Sequence, residues 1–298
     1  MPQSPVRFVY LDFLRFAFAM IVFFGHAKTL FAMEKFQLAV DYFFILSGFV
    51  LTHAYKDKLS NSNFLRSFIR DRVARLYPLH LATLFILMFL NIWFVEITKG
   101  QWLEQGWSYQ DGRTYTLSLH LLLLNNIGLT PGGPSWNAPA WSISVEFWIN
   151  ILLAGIALKM RKYLLAFCIA AFMLAYSTLF FSIGSLGDFY KNIGFINTGM
   201  LRGIAGMTAG VLCYAAYQKI LPAIGKRSRI SIILLALLSI VFQFCLIAGW
   251  PHFEHAEFLI VPISAAAVIS LALLEGVYKN ASMSGALEWL GSAPTPYA

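Results

Sequence analysis

The stretch RISIILLALLSIVFQFCLIAG, residues 229–249, carries no charge after Arg229 and is otherwise almost wholly apolar. About 20 predominantly apolar residues are what a helix needs to cross the hydrocarbon of a bilayer. This segment therefore predicts a transmembrane helix, and it sets the fold class. Working outward, comparable runs occupy residues 7–27, 36–54, 76–97, 138–158, 163–183, 192–217 and 257–278. Composition agrees: the 298 residues are 59% hydrophobic and 16% aromatic, with mean hydropathy +0.68 and only 12% charged. Soluble domains carry about 25% charged residues, so too few charges are present to cover a compact soluble body. Plentiful aromatics and an ordinary share of Cys, Gly and Pro argue against disordered, collagen-like and disulfide-framework classes. The chain reads as all-α, one polytopic helical membrane bundle over residues 1–298, with no internal repeat or interdomain linker.

Charge then orients the bundle. Net charge is +8, and in a membrane protein such a surplus is first a topology signal. The connection 55–75 holds Lys56, Lys58, Arg66, Arg70, Arg72 and Arg75, and basic residues also crowd 159–162 and 218–229. All three fall on the cytoplasmic side if the N-terminus is cytoplasmic and the short apolar piece 116–127 does not cross. That piece has about 12 residues, a length suited to a re-entrant or interfacial segment. Eight spans result. The long outer loop 98–137, with Trp102, Trp107, Trp136, Gly132, Gly133, Pro131 and Pro134, has the composition of a surface or binding loop. Asp12 and Arg15 interrupt the first apolar run, which excludes a cleavable signal peptide there. Cys168, Cys213 and Cys245 sit in apolar runs at spacings that fit no metal or redox motif. No metal site is expected, and no basic module suited to nucleic acid is present.

Charges at membrane depth cost several kcal/mol on most scales, so each is a functional candidate. Arg15 and His26 are eleven residues apart in the first span, which returns to within about 20° of one helix face. Asp41 lies in the outer half of the second span, with Ser47 and Gly48 deeper. Glu146 lies roughly 12 Å below the outer surface in the fourth span, after Trp141, Ser142 and Ser144. Arg202 sits midway along the sixth, followed by Gly203, Gly206 and Gly210. Depth alone groups His26, Asp41 and Glu146 in the outer half, as for a polar cavity. On the inner side, Arg66, Arg70, Arg72 and Arg75 read either as topogenic charge attracted to anionic lipid or as a phosphate grip, since Arg forks hold phosphate oxygens bidentately.

These blocks, in this order, resemble the membrane-bound acyltransferase-3 family, typified by bacterial O-antigen and related sugar O-acetyltransferases. The likeness rests on the Arg-x10-His of Arg15 and His26, on Val40 to Phe49, on Arg72-Val73-Ala74-Arg75-Leu76-Tyr77-Pro78, on Trp141 to Glu146, and on the glycine-rich span of Arg202. The resemblance implies transfer of an acyl group, usually acetyl, from acetyl-coenzyme A as co-substrate to a hydroxyl of a carbohydrate or other cell-envelope acceptor. It implies no bound cofactor, and a multi-pass protein of the bacterial inner membrane. It carries over His26 as the catalytic residue, Arg15 as its companion, and Arg72 and Arg75 as the family's Arg-x-x-Arg. Family members usually have ten spans. After Trp289-Leu290-Gly291 the sequence leaves the family pattern and ends at Ala298, so the expectation is a domain lacking its last two spans.

A mechanism follows from the residue types. His26, with an unperturbed pKa near 6.5, suits removal of the acceptor hydroxyl's proton; a transient acyl-histidine is the other route. Asp41 or Glu146 would orient the imidazole, and Arg15 would stabilise an oxyanion or place the thioester. Ser47, Trp141 and Arg202 are the candidates for holding substrate, and the four inner arginines for holding the coenzyme's phosphates. Two other readings compete: a transporter of a small polar solute, since intramembrane charges also make substrate paths, and an inactive fragment. Oligomeric state and acceptor identity leave no readable mark.

Overall fold

A computed structural model describes residues 8–27, 33–59, 63–98, 113–129, 136–224 and 228–278. Nine α-helices account for most of these: α1 (Val9–His26), α2 (Ala39–Tyr55), α3 (Phe64–Thr98), α4 (Arg113–Leu121), α5 (Trp141–Lys159), α6 (Leu164–Thr178), α7 (Thr198–Ile220), α8 (Arg229–Ile247) and α9 (Ile260–Tyr278). Among the described residues, eight helical stretches are long and apolar enough to cross a membrane. They coincide with the eight expected spans, and the protein is a multi-pass membrane protein of the all-α class.

Three boundaries depart from expectation. The basic stretch before Leu76 is no loop: α3 starts at Phe64 and runs for 35 residues. Arg and Leu are good helix formers and nothing between Phe64 and Tyr77 breaks the pattern. Pro78 lies inside the helix, where it removes one backbone hydrogen bond. The sixth span starts later than residue 192, because Asn192–Ile193 and Ile196–Asn197 pair as a small antiparallel hairpin, β1 and β2, around Gly194 at φ +59°. Segment 116–127 is shorter as a helix than its apolar length suggests: α4 has nine residues and gives way to turns through residue 128. It is too short to cross. Of the outer loop 98–137, residues 98, 113–129 and 136–137 are described; Trp102, Trp107, Pro131, Gly132, Gly133 and Pro134 lie outside the described residues, as does everything after Tyr278.

The chain divides into two compact units. The first comprises Met1–Asp57, Lys162–Gly187 and Ile204–Ala298, hence α1, α2, α6, most of α7, α8 and α9. Glycine governs its packing. Gly48 of α2 sits on the backbone of Met207 in α7, and Gly210 sits on the Ile45 carbonyl and Phe49 amide, so a Cβ at either position would overlap main chain. Small residues let membrane helices approach this closely. Polar ties complete the unit. The Tyr42 hydroxyl donates to the Leu11 carbonyl (3.1 Å), Ser264 of α9 donates to the buried Gln243 of α8 (2.9 Å), and Tyr10 N–H donates to Glu275 Oε1 (2.8 Å).

The second unit comprises Lys58–Arg161 and Asp188–Gly203: α3, α4, α5, the hairpin and the first turns of α7. Gly203 meets the side chains of Val145 and Ile149 on α5. The turn after α4 is pinned by side chains. His80 of α3 bonds through Nε2 to the His120 carbonyl (2.8 Å). Ser144 Oγ (2.6 Å) and Trp148 Nε1 (2.8 Å) of α5 both donate to the Leu123 carbonyl. Leu123 itself has φ +55°, a left-handed conformation unfavourable for a side chain with Cβ. These three bonds hold it there.

Candidate functional site

The candidates named from sequence fall into two sets, one in each unit. In the first unit, α1 carries both Arg15 and His26, three turns and roughly 16 Å apart along the axis. The helix does not bring them into contact. Arg15 Nη2 instead pairs with Asp12 Oδ1 at 3.0 Å, one turn back, with both side chains half-buried. In a low-dielectric setting such a pair needs both partners, so Asp12, read from sequence only as an interruption of an apolar run, belongs to the arginine's site. His26 ends α1 and is exposed, its ring edge-on to Phe36 with centroids 4.9 Å apart. Gly25 makes room for this, since a Cβ there would strike the Phe36 ring.

Phe36 opens the short 3-10 turn Phe36–Leu38 that leads into α2. Asp41 follows in the first turn of α2 and is 1% exposed. A carboxylate is favoured there by the helix dipole. Ser47, half-buried, stands two turns further on. The same end of α2 is braced by Lys35, whose amide donates to the Ile247 carbonyl (2.9 Å). Its ammonium meets Glu257 (3.4 Å), and Glu257 also accepts the Leu186 amide (2.6 Å). Two of the six histidines, His26 and His252, are exposed, while His80 and His120 are buried.

In the second unit Trp141 and Arg202 do come together. The Arg202 guanidinium, 1% exposed, lies 5.3 Å from the Trp141 ring and 6.0 Å from that of Phe189, and the two rings stack at 4.5 Å. Planar arginine stacks well on aromatic faces. Phe189 was not foreseen, because it lies between helices, where no periodicity marks it. Glu146 is half-buried on α5.

The arginine cluster splits. Arg72 is 2% exposed, its guanidinium 5.4 Å from the Phe68 ring, and Arg75 is half-buried. Arg66 and Arg70 point outward and line an open cleft of about 440 Å³ with Asn63 and Ser67. Arg70 also meets the adjacent Asp71 at 3.2 Å, with both exposed. The four residues therefore do not form one grip. The outward pair offers an anion site, and the Arg-x-x-Arg pair faces protein. Among the described residues no group of three or more His, Cys, Asp or Glu is placed to hold a metal ion. The three cysteines are free, two of them buried.

Against known proteins, residues 8–293 match the model of the acyltransferase domain of the acyltransferase-3 type. The chain belongs to the acyltransferase-3 family. It is a membrane acyltransferase. Protein 2 in the picA locus of Rhizobium radiobacter is 32% identical over 184 residues, 58% of this chain and 96% of that relative. Acyltransferase MdmB of Streptomyces mycarofaciens is 34% identical over 160 residues, 49% of this chain but 38% of that relative. No solved structure matches this acyltransferase.

Proposed function

We propose that this acyltransferase moves an acyl group, in the first instance acetyl, from acyl-coenzyme A to a hydroxyl of a carbohydrate or other cell-envelope acceptor. It would do so in a bacterial inner membrane with its N-terminus cytoplasmic. The observation that carries this reading is an exposed imidazole at the end of α1, seated on Phe36, in a chain matched by an acyltransferase family model over residues 8–293.

An alcohol attacks a thioester slowly until a base removes its proton. In this reading His26 takes the hydroxyl proton as the oxygen attacks the thioester carbonyl. The carbon–sulfur bond then breaks, and the coenzyme thiolate leaves with the proton that the imidazolium returns. Asp41, five residues past the Phe36 that touches His26, would favour the charged imidazole electrostatically. Arg15, held by Asp12, would place the thioester or its oxyanion. Arg66 and Arg70, at the open cleft on α3, would meet the coenzyme's phosphates, and Ser47, Trp141 and Arg202 would contribute to holding substrate.

The test is release of free coenzyme A from acetyl-coenzyme A by the purified full chain in lipid nanodiscs, dependent on an added sugar acceptor. His26→Ala should lower that rate by about 100-fold or more, the usual contribution of a general base. Near-normal transfer by a folded His26→Ala protein would overturn the assignment. Acceptor flux across a vesicle membrane without acyl transfer would instead indicate a transporter.

A further inference from the structure

The ion pair between Lys35 and Glu257 has no part in the proposed chemistry, yet it leads to His26. Lys35 immediately precedes the turn Phe36–Leu38, and Glu257 lies in the 3-10 turn Ala256–Leu259 that enters α9. Both belong to the first unit, as do Leu186, Ile247 and His26. The Glu257 side chain is 13% exposed, and both of its oxygens are engaged. Oε1 accepts the Leu186 amide (2.6 Å) and Oε2 meets Lys35 Nζ (3.4 Å).

Lys35 is seated twice, by that carboxylate and by its own amide, which donates to the Ile247 carbonyl at the end of α8 (2.9 Å). Glu34 beside it lies against Gly249, where an added Cβ would strike the carboxylate. The turn is thus fastened to the segments around α8 and α9, and the next residue is Phe36. The His26 ring meets the Phe36 ring edge-on at 4.9 Å, in space that Gly25 leaves open. A part-exposed ion pair adds little to stability, because water screens it and two long side chains lose freedom. Placement is more demanding: moving a reacting group by about 1 Å costs up to about 100-fold in rate. The tie is therefore weak for folding and consequential for position.

We propose that Glu257 is a positioning residue: through Lys35 it holds the Phe36 ring, and so the His26 imidazole, in the place from which His26 acts on the acceptor hydroxyl. The proposal rests on the acyl-transfer reading and gives neither Glu257 nor Lys35 a substrate contact.

The test uses the full chain in nanodiscs and two readouts. One is coenzyme A release from acetyl-coenzyme A with D-glucose or N-acetylglucosamine as acceptor. The other is the rate at which diethyl pyrocarbonate modifies His26, read by mass spectrometry, which needs no turnover. Glu257→Gln keeps an oxygen for the Leu186 amide and removes the charge facing Lys35. It should lower kcat about tenfold or more, hold the acetyl-coenzyme A KM within about twofold, and speed His26 modification about threefold or more. Its unfolding temperature should drop by no more than about 3 °C. Lys35→Met should act alike from the other end, the double variant should be no worse than either single change, and Lys35→Arg should recover most of the rate. Glu254→Gln, which alters an exposed carboxylate three residues before Glu257, should change nothing. Unchanged kcat and unchanged His26 modification in Glu257→Gln and Lys35→Met would overturn the proposal. So would a lowered kcat without faster His26 modification, or an equal loss in Glu254→Gln. Faster His26 modification in Glu257→Gln, with no coenzyme A release by the wild type, would uphold the tie while sinking the acyl-transfer reading.

Discussion

The α2–α7 seam of the first unit and the pinned turn of the second are both buried, yet they are held by opposite means. At the seam, Gly48 and Gly210 bring main chains into contact, and the stabilisation is dispersion between closely fitting surfaces. At the turn, three side chains hold two carbonyls around Leu123 in a left-handed conformation, and the stabilisation is directional. Shape tolerates no added volume. Hydrogen bonds tolerate added volume better but fail when a partner is removed, because a buried carbonyl left bare carries its full desolvation penalty.

Four experiments break or sharpen this contrast. Gly48→Val forces a branched side chain into the Met207 backbone and should cost at least about 3 kcal/mol, the upper range for overpacking; equilibrium unfolding in mixed detergent micelles would read it. A mild effect would mean that the seam can part. The Ser144→Ala, Trp148→Phe double variant strips Leu123 O of both donors and should cost about 3 kcal/mol, more than the sum of the single changes. Simple additivity would show that the carbonyl finds another partner.

Acid provides the third. Burial, with a contribution from His80, pushes His120 down to about 4 from its ordinary 6.5. The folded state therefore favours the neutral ring. Its contribution to stability is complete above pH 6.5 and is lost as pH falls through 4, on the order of 3 kcal/mol. His120→Gln should flatten the thermal stability profile across that window, whereas variants at the seam should leave the profile's shape unchanged. The smallest effect is Ser144→Ala alone. Trp148 still serves Leu123 O, and what is lost outright is the long bond from the Asn126 amide (3.3 Å), so the loss should be about 1–2 kcal/mol, visible as a small drop in Tm.

The same contrast explains what could be read in advance. The eight spans were legible because a run of apolar residues is a one-dimensional property, whereas the approach of Gly48 to the Met207 backbone is set by packing. Arg202 beside Trp141 was legible only as two candidates; the Phe189 ring that completes the stack lies in an irregular segment. His80 and Asn150 are polar residues inside apolar runs, a signal the sequence carries. Their meaning depends on which atoms find partners, and partners arrive from α4 and its turn, far away in sequence. Arg66 and Arg72 differ for a similar reason. Six residues apart on one helix, they are offset by about 240°, so one meets the cleft and the other Phe68.

The length of α3 has a consequence of its own. Its apolar stretch Phe64–Leu90 has 27 residues and measures about 40 Å, roughly 10 Å more than the hydrocarbon layer. Tilt absorbs an excess of this size. Arg66, in the first turn of the stretch, would then stand at headgroup level, where the charge of the surrounding lipid reaches it.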